Sequence, residues 1–366
     1  MAENFLNLPT QETQKEIADA LKKMANIATP QDFTGSPGSE YLMAGDKQNG
    51  FYGFVQPKEF GLITANPEGK KELTATNLAT AIGLTGGTAI NDTVAWMKFS
   101  RKGKVLFVPV MPLRHTVTWN QIYNAGAVYG DDSVGQTPPN GRAGKRLRVD
   151  AATNSFVMDT TEGEGFTKDG AVLGAIGDII VTRGFANAAN NGEFTIAAIT
   201  NSAVTVTGGT LVTEPSAPKA SIYRKTLAIT QNRKVTIGDH TFRVRLLKGA
   251  SQDPLNSFLD ADRDMVGPES EWNSLILPLH ERAKLQNWAY KAYAGTTDDW
   301  KVGLTDQDLS THYLLGLGSY TWCQETSDDL SHARVYRGYH GASYGYHGNS
   351  WNAYSNYGWR PCLELI

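Results

Sequence analysis

Cysteine, net charge and long apolar stretches are all scarce in this chain of 366 residues. Only Cys323 and Cys362 are present, which excludes a disulfide scaffold and a multi-cysteine zinc site. We expect the two cysteines on neighbouring strands, as a buried thiol pair or a single disulfide. The net charge of -3 gives no general attraction to nucleic acid or to anionic lipid, so neither partner is expected.

No apolar run reaches the roughly 18 residues of a membrane-spanning helix, so no membrane insertion is predicted. The opening MAENFLNLPTQETQKE lacks the basic and apolar parts of a secretory signal, which predicts synthesis in the cytosol. Charged residues make up 19% of the chain, whereas 37 glycines, 15 tyrosines and 8 tryptophans are present. This composition predicts a turn-rich, β-rich α+β protein and favours binding over catalysis, so no enzyme activity is expected.

Residues 1–90 are predicted to form an N-terminal arm for oligomerisation and attachment. Apolar residues recur at helical spacing over residues 10–28, at Ile17, Leu21, Met24 and Ile27. This short pattern fits either a small oligomerising coil or a helix packed on its own subunit. Residues 29–90 mix Gly, Pro, Thr and Asn with short apolar runs, so this irregular stretch is expected to need a partner.

Residues 91–129 and 226–366 are predicted to form one compact domain, interrupted by a small β domain at 130–225. The interruption begins with the Gly- and Pro-rich sequence GDDSVGQTPPNGRAG. It continues as the short alternating strands GDIIVTRGF, GEFTIAAIT and SAVTVTGG, separated by Asn-Asn-Gly and Asn-Ser turns. Such spacing predicts an antiparallel meander.

Residues 336–359 have an unusual composition. The sequence YRGYHGASYGYHGNSWNAYSNYGW holds six of the 15 tyrosines and no Ile, Leu, Val, Met, Asp, Glu or Lys. Tyr and Trp present large amphipathic surfaces, and Ser, Gly and Asn form adaptable hydrogen bonds, as in antibody binding loops. We therefore predict a surface that binds glycan rings or protein loops, while a structural aromatic cluster and a disordered tract remain alternatives. The predicted ligand-binding residues are Tyr336, Tyr339, His340, Tyr344, Tyr346, His347, Asn349, Trp351, Asn352, Tyr354, Asn356 and Tyr357.

Two segments resemble phage tail proteins. The sequences SEWNSLILPLHERA, SYTWCQE, ARVYRGY and GWRPCLELI are similar to the C-type-lectin fold at the C-terminus of phage receptor-binding proteins of the major tropism determinant type. In that family the stretch before the closing strand is a display loop, which a retroelement diversifies in many members. Residues 177–214 resemble a β module that recurs in bacteriophage tail proteins.

The resemblance implies a virion protein of the tail fibre or baseplate. Its N-terminal arm would contact other tail proteins, its last loop would bind a protein or glycan receptor on the host surface, and the homo-oligomer would be a trimer. Two alternatives stay open. One is a structural tail component whose aromatic loop packs on neighbouring subunits. The other is a glycan depolymerase, which needs paired carboxylates and has the candidates Asp298, Asp299, Asp306 and Asp308.

A calcium site is the weaker interpretation of one acidic stretch. Its residues occupy positions 1, 3, 5 and 12 of an EF-hand-like loop, at Asp260, Asp262, Asp264 and Glu271. Met265 stands where the sharp turn of such a loop needs glycine, so a solvated acidic loop is preferred and no cofactor is predicted. Sugar-binding C-type lectins hold calcium with Glu-Pro-Asn and Trp-Asn-Asp motifs, and this chain has Trp351-Asn352-Ala353 instead.

Overall fold

The computed structural model describes most of the chain after residue 34. The described residues are 35–65, 69–132, 137–144, 146–160, 164–167, 172–255, 267, 269–283, 299–311, 316–327 and 330–366. Within these ranges the chain forms three β-sheets and two α-helices, so the predicted β-rich character is confirmed. The helix predicted over residues 10–28 lies outside them.

The largest sheet has nine strands, numbered here in chain order. Their spatial order is β1 (Ala44–Gly45), β2 (Asn49–Val55), β6 (Trp96–Arg101), β7 (Lys104–Pro109), β22 (Cys362–Leu365), β17 (His240–Arg245), β16 (Lys234–Ile237), β3 (Leu62–Ala65) and β4 (Gly69–Glu72). The β6–β7 hairpin turns at Lys102 and Gly103, with φ of 49° and 80°, a region that glycine adopts without strain. Because β22 lies between β7 and β17, the end of the chain is part of the core.

The structure describes two α-helices, α1 (Ala75–Ile82) and α2 (Trp119–Asn124). Helix α1 packs on β3 and β16 of this sheet. In α2, Trp119 Nε1 donates a 3.0 Å hydrogen bond to the Cys323 carbonyl. The Thr74 hydroxyl accepts a hydrogen bond from the Asn77 N–H and begins α1. The Thr118 hydroxyl caps α2 in the same way. Short helical turns follow elsewhere, namely the 3-10 turns Pro57–Phe60, Ala188–Asn190, Lys225–Leu227 and Leu277–Leu279 and the π-helical turn Trp272–Ile276.

The predicted domain boundary at residue 90 is wrong for the part of the arm that the structure describes. Residues 44–82 supply four strands of the nine-stranded sheet and helix α1. Tyr52, Ile63 and Leu78 are buried in the same core cluster as Trp119 and Phe242. The short apolar runs of this stretch pair with distant strands, since β2 pairs with β6, and Ile63 on β3 pairs with Ile237 on β16.

A second sheet of seven strands forms within the predicted insertion. Its spatial order is β10 (Leu147–Asp150), β11 (Ser155–Met158), β14 (Ala203–Thr207), β13 (Gly192–Ile199), β12 (Ile179–Arg183), β15 (Ser221–Arg224) and β9 (Arg142–Ala143). Strands β12, β13 and β14 pair antiparallel in sequence, which is the predicted meander. This "inserted sheet" has its own core, in which Leu147, Phe156 and Ile180 are fully buried.

The third sheet has six strands and contains the aromatic segment. Its spatial order is β20 (Gly345–Asn349), β19 (Ala333–Gly338), β18 (Tyr320–Thr326), β21 (Tyr357–Trp359), β8 (Arg114–His115) and β5 (Thr88–Ala89). Strand β20 is at the edge, and residues 350–356 connect it to β21 across the sheet. The aromatic segment 336–359 therefore covers the end of β19, the edge strand β20, the connections on either side of β20, and β21.

Both cysteines are buried free thiols, and they lie in different sheets. Cys323 is on β18 and Cys362 is on β22, so the expectation of neighbouring strands, and with it the single disulfide, is wrong. Burial raises the pKa of both thiols, that of Cys362 to about 12, which keeps them protonated. None of the helices described is long and apolar enough to cross a membrane.

Candidate functional site

Three aromatic rings project from the edge of the six-stranded sheet. Tyr346 on β20 is 39% exposed, and Trp351 and Tyr354 in the following loop are 49% and 67% exposed. We call residues 339–356 the display surface. The other predicted binding residues of this surface are half-buried around the three rings, namely Tyr339, His340, Tyr344, His347, Asn349 and Asn352, with Asn356 at its end.

Two of the predicted binding residues do not face solvent. Tyr336 and Tyr357 are each 5% exposed, so the expectation that they contact a ligand is corrected: they form the base beneath the display surface. Tyr357 stacks on Trp322 with ring centroids 4.5 Å apart and meets Tyr320 edge-on at 4.9 Å. Aromatic pairs at such distances add stabilisation beyond the area they bury.

Tyr320 is a member of this base that the sequence interpretation missed. Its ring stacks on Tyr336 at 4.5 Å and meets the Tyr339 ring at 4.1 Å. Burial raises the pKa of both Tyr320 and Tyr336, so their hydroxyls remain neutral. A sequence signal existed, because Tyr320 and Trp322 are two residues apart in one strand and so share a face.

The display surface begins with a strained turn. The His340 N–H donates a 3.2 Å hydrogen bond to the Gly338 carbonyl, which closes a γ-turn centred on Tyr339. Tyr339 has a φ of 76°, a conformation that costs free energy for any residue with a side chain. Such strain persists only where the surrounding structure enforces it, and here the Tyr339 ring is held between Tyr320 and His340.

A half-buried carboxylate anchors the backbone that follows this turn. Asp306 accepts a 2.7 Å hydrogen bond from the Ala342 N–H, and its Oδ1 atom lies 3.2 Å from Nε2 of the buried His280. Because His280 Nδ1 accepts from the Arg282 N–H at 3.1 Å, Nε2 carries the ring proton. Burial alone would raise the pKa of Asp306, but the contacts with His280 and Ala342 outweigh it and hold the pKa below its ordinary value.

The remaining carboxylates considered for a depolymerase serve local turns. Asp308 accepts hydrogen bonds from the Thr305 N–H and hydroxyl at 2.8 and 2.7 Å. Asp299 pairs with Lys301 two residues away. Asp298 lies outside the described residues. Asp306 is the member of this set that contacts the display surface, and it does so as an acceptor for a backbone N–H.

No charged side chain is exposed in the fully described segment 330–366. Its four charged residues are each at most 3% exposed: Arg334, Arg337, Arg360 and Glu364. The exposed polar groups and rings of this segment are therefore aromatic rings, amides, hydroxyls and imidazoles. Contacts made by this segment would depend on shape, stacking and neutral hydrogen bonds, and little on long-range charge.

The buried arginines support the display surface from beneath. The Arg337 and Arg360 guanidinium groups lie 5.8 and 5.5 Å from the Trp272 ring, and Trp272 Nε1 donates a 2.7 Å hydrogen bond to the Ala342 carbonyl. Arg337 also donates to the Gly249 carbonyl at 2.9 Å. Burial lowers the pKa of Arg360 to about 9. Cations over an indole face are attracted to its ring quadrupole, so these contacts hold the turn at Ala342 firmly.

Glu271 is the one member of the suggested calcium loop that lies within the described residues, and its carboxylate forms an ion pair. Both carboxylate oxygens of Glu271 accept hydrogen bonds from Arg245 at 2.7 Å, and one also accepts from the Lys248 N–H at 2.9 Å. Asp260, Asp262 and Asp264 lie outside the described residues. Among the residues that the structure does describe, no three His, Cys, Asp or Glu side chains are grouped to hold a metal ion.

Function has to be inferred from the display surface and its support. Comparison with known proteins supplies no relative, because no family model, curated protein or solved structure matches this chain.

Proposed function

We propose that this protein is a phage tail receptor-binding protein that adheres to the host cell surface through the display surface. The observation that supports this best is the combination of three exposed rings, a base of stacked rings and the absence of exposed charge in residues 330–366. The C-terminal residues would then form a C-type-lectin-like head, and the protein would act by binding alone, without a bound cofactor.

Preorganisation favours binding at this surface. The γ-turn at Tyr339, the Asp306 anchor and the indole of Trp272 fix the backbone on which the rings stand. A binding surface that is already ordered loses less conformational entropy when a ligand arrives. Several copies in one homo-oligomer, with a trimer preferred, would raise the overall avidity by roughly 10² to 10⁴ where the geometry allows simultaneous contact.

The proposal is tested by removing the exposed rings. The triple variant Tyr346→Ala, Trp351→Ala and Tyr354→Ala is compared with the wild type for adsorption of labelled full-length protein to a panel of bacterial strains. We expect at least about 30-fold weaker binding to any strain that the wild type binds, because large aromatic anchors dominate binding energy. The matched control replaces Ile176, Ile179 and Val212 by alanine, three exposed apolar residues of the inserted region, and should bind normally.

Because no charged side chain is exposed in residues 330–366, we also expect adsorption to be insensitive to salt. Adsorption should change little between about 20 mM and 1 M salt, since screening acts on charged pairs. Periodate treatment of the cells removes a glycan receptor, and protease treatment removes a protein receptor.

Three outcomes would contradict the proposal. The first is normal adsorption of the display triple variant. The second is a change in oligomer mass of that variant in light scattering, which would favour the structural tail component. The third is release of reducing ends from the polysaccharide of a bound strain, which would favour a depolymerase.

A further inference from the structure

The tryptophan of the display surface rests on a residue that contacts the inserted region. The Trp351 indole stacks on the His332 imidazole, with centroids 5.1 Å apart and planes inclined by 22°. The His332 Nδ1 atom lies 3.2 Å from a carboxylate oxygen of Glu164. Glu164 precedes β12 in the inserted region and is 4% exposed. Three side chains thus connect the inserted region to an exposed binding ring.

The residues on either side of His332 are also docked on the inserted region. The Ser331 hydroxyl oxygen accepts from the Ala143 N–H on β9 at 3.1 Å and lies 3.2 Å from the Ala143 carbonyl. The Arg334 guanidinium donates to the Thr137 carbonyl at 2.8 Å. The side chains of Ser331 and Arg334 therefore hold the start of β19 against the inserted region.

The backbone of the display surface is tied to the same residue. The Ser350 N–H donates a 3.0 Å hydrogen bond to the His332 carbonyl, directly before Trp351. The imidazole and the carbonyl of His332 consequently hold the indole and the backbone of one short loop. A displacement of His332 would be passed to Trp351 through both contacts.

The Glu164 carboxylate is suited to hold the imidazole. Burial alone would raise its pKa, but the interaction with His332, together with the nearby Arg142 guanidinium, outweighs burial and holds the pKa below its ordinary value. Arg142 is itself fixed, since it donates to the Gly165 carbonyl at 2.6 Å. A buried, ionised acceptor on a fixed backbone restrains the imidazole more than solvent would.

We infer that Glu164 is a positioning residue for ligand binding: it fixes the His332 imidazole, and the imidazole fixes the Trp351 indole in its binding orientation. The binding role of Trp351 rests on the proposed function, whereas its orientation does not. The inserted sheet is then part of the binding unit, because an indole that is already stacked loses less freedom when it meets a ligand.

The first experiment needs no ligand. The fluorescence of Trp351 is isolated by difference: each protein is measured with Trp351 and again with Trp351→Phe, and the second signal is subtracted from the first. Quenching of this difference signal by acrylamide reports how accessible the Trp351 indole is. Glu164→Leu and His332→Ala should increase the quenching of Trp351 by about twofold, since the indole loses its support on one face. Glu164→Gln keeps an oxygen facing the imidazole and should stay close to the wild type. Unchanged quenching in Glu164→Leu would overturn the inference.

The second experiment is a double-mutant cycle on adsorption to a strain that the wild type binds. Glu164→Leu should weaken adsorption about three- to tenfold in the wild-type background and have no effect in the Trp351→Ala background. An effect of equal size in both backgrounds would show a general structural role and refute the positioning role.

If Glu164→Leu fails to fold, the same double-mutant cycle is made with His332→Ala and Trp351→Ala. If no strain binds the wild type, the proposed function fails, and the quenching comparison alone decides the positioning role.

Discussion

The inserted sheet and the display surface are stabilised in different ways. The inserted sheet encloses a core dominated by aliphatic and phenylalanine side chains, including Leu147, Phe156 and Val204. Residues 137–224 contain no tryptophan and a single tyrosine, Tyr223. The display surface stands instead on tyrosine and tryptophan rings and on arginines that are fully buried.

This difference shows how a surface can be both uncharged and rigid. Aliphatic burial is non-directional and leaves the outer residues of a sheet free to vary. Ring stacking and guanidinium-to-carbonyl hydrogen bonds are directional, so they fix the positions of turns such as the one at Ala342. The charges that a surface usually presents to water lie beneath this one, where they hold its backbone.

The largest expected effect comes from removing a buried arginine. Arg337→Met would leave the Asn273 amide oxygen without its 2.8 Å donor and would take one donor from the Gly249 carbonyl. Buried acceptors that lose a charged donor cost free energy, so we expect the free energy of unfolding to fall by about 2–4 kcal/mol. Urea denaturation followed by far-UV circular dichroism measures this change.

The matched control is an arginine of the inserted sheet. Arg183 is half-buried and lies 5.7 Å from the Tyr223 ring. Because water can replace its contacts, Arg183→Met should cost less than about 1 kcal/mol. If Arg337→Met and Arg183→Met lower the free energy of unfolding equally, buried arginines do not stabilise the display surface more than they stabilise the inserted sheet.

A smaller effect should appear as a pH dependence that arises from Glu325, a buried residue of the sheet that carries the display surface. Glu325 on β18 is 2% exposed, and burial, with a further contribution from Asp253, raises its pKa to about 8 from an ordinary value of 4.5. Between these two pH values the folded protein holds a proton that the unfolded chain has released. The stability of the wild type should therefore decrease as the pH rises from 4.5 to 8.

Glu325→Gln removes this titration and keeps an oxygen that can accept from the Gly249 N–H. At pH 8 the variant should be more stable than the wild type by at least about 1 kcal/mol, and near pH 4 the two should agree. Tryptophan fluorescence reports this unfolding selectively, since the inserted sheet has no tryptophan. Parallel pH profiles for the two proteins would show that Glu325 ionises normally.

The same contrast explains how far the sequence predicts the fold. The strands of the inserted meander pair with their neighbours in sequence, so alternation and the Asn-Asn-Gly turn were sufficient to predict them. Residues 44–82 were misassigned because their partners are remote: β2 pairs with β6, and Ile63 on β3 pairs with Ile237 on β16. Single-sequence periodicity contains no signal for such pairing.

The exposure of the residues in the candidate site could be predicted only in part. Composition located the segment, but Tyr357 and Tyr354 look alike in sequence, and only folding buries the first and exposes the second. The contacts of Asp306 with Ala342 and of Glu164 with His332 join residues far apart in the chain. No spacing motif links such residues, so these supports could not have been identified before the structure.

The smallest expected effect concerns a glycine of the edge strand. Gly348 does not have a positive φ, so it is not required for backbone freedom. A Cβ atom there would collide with the Tyr357 hydroxyl oxygen and lie 3.1 Å from two ring carbons. Tyr357 cannot shift easily, since its ring stacks on Trp322 and its hydroxyl accepts from Asn352 Nδ2 at 3.3 Å. Gly348→Ala should therefore lower the free energy of unfolding by about 1–2 kcal/mol.

Two controls distinguish this cost from a general loss of packing. Adding Tyr357→Phe removes the nearest atom and should restore part of the stability of Gly348→Ala, as measured by thermal unfolding. In the inserted region, a Cβ at Gly209 would lie 2.8 Å from a carbon of the Phe194 ring, which has no hydroxyl to hold it by a hydrogen bond. Gly209→Ala should consequently cost less than Gly348→Ala. If it costs as much, rings in an apolar core are as fixed as those beneath the display surface, and the proposed distinction between the two regions is wrong.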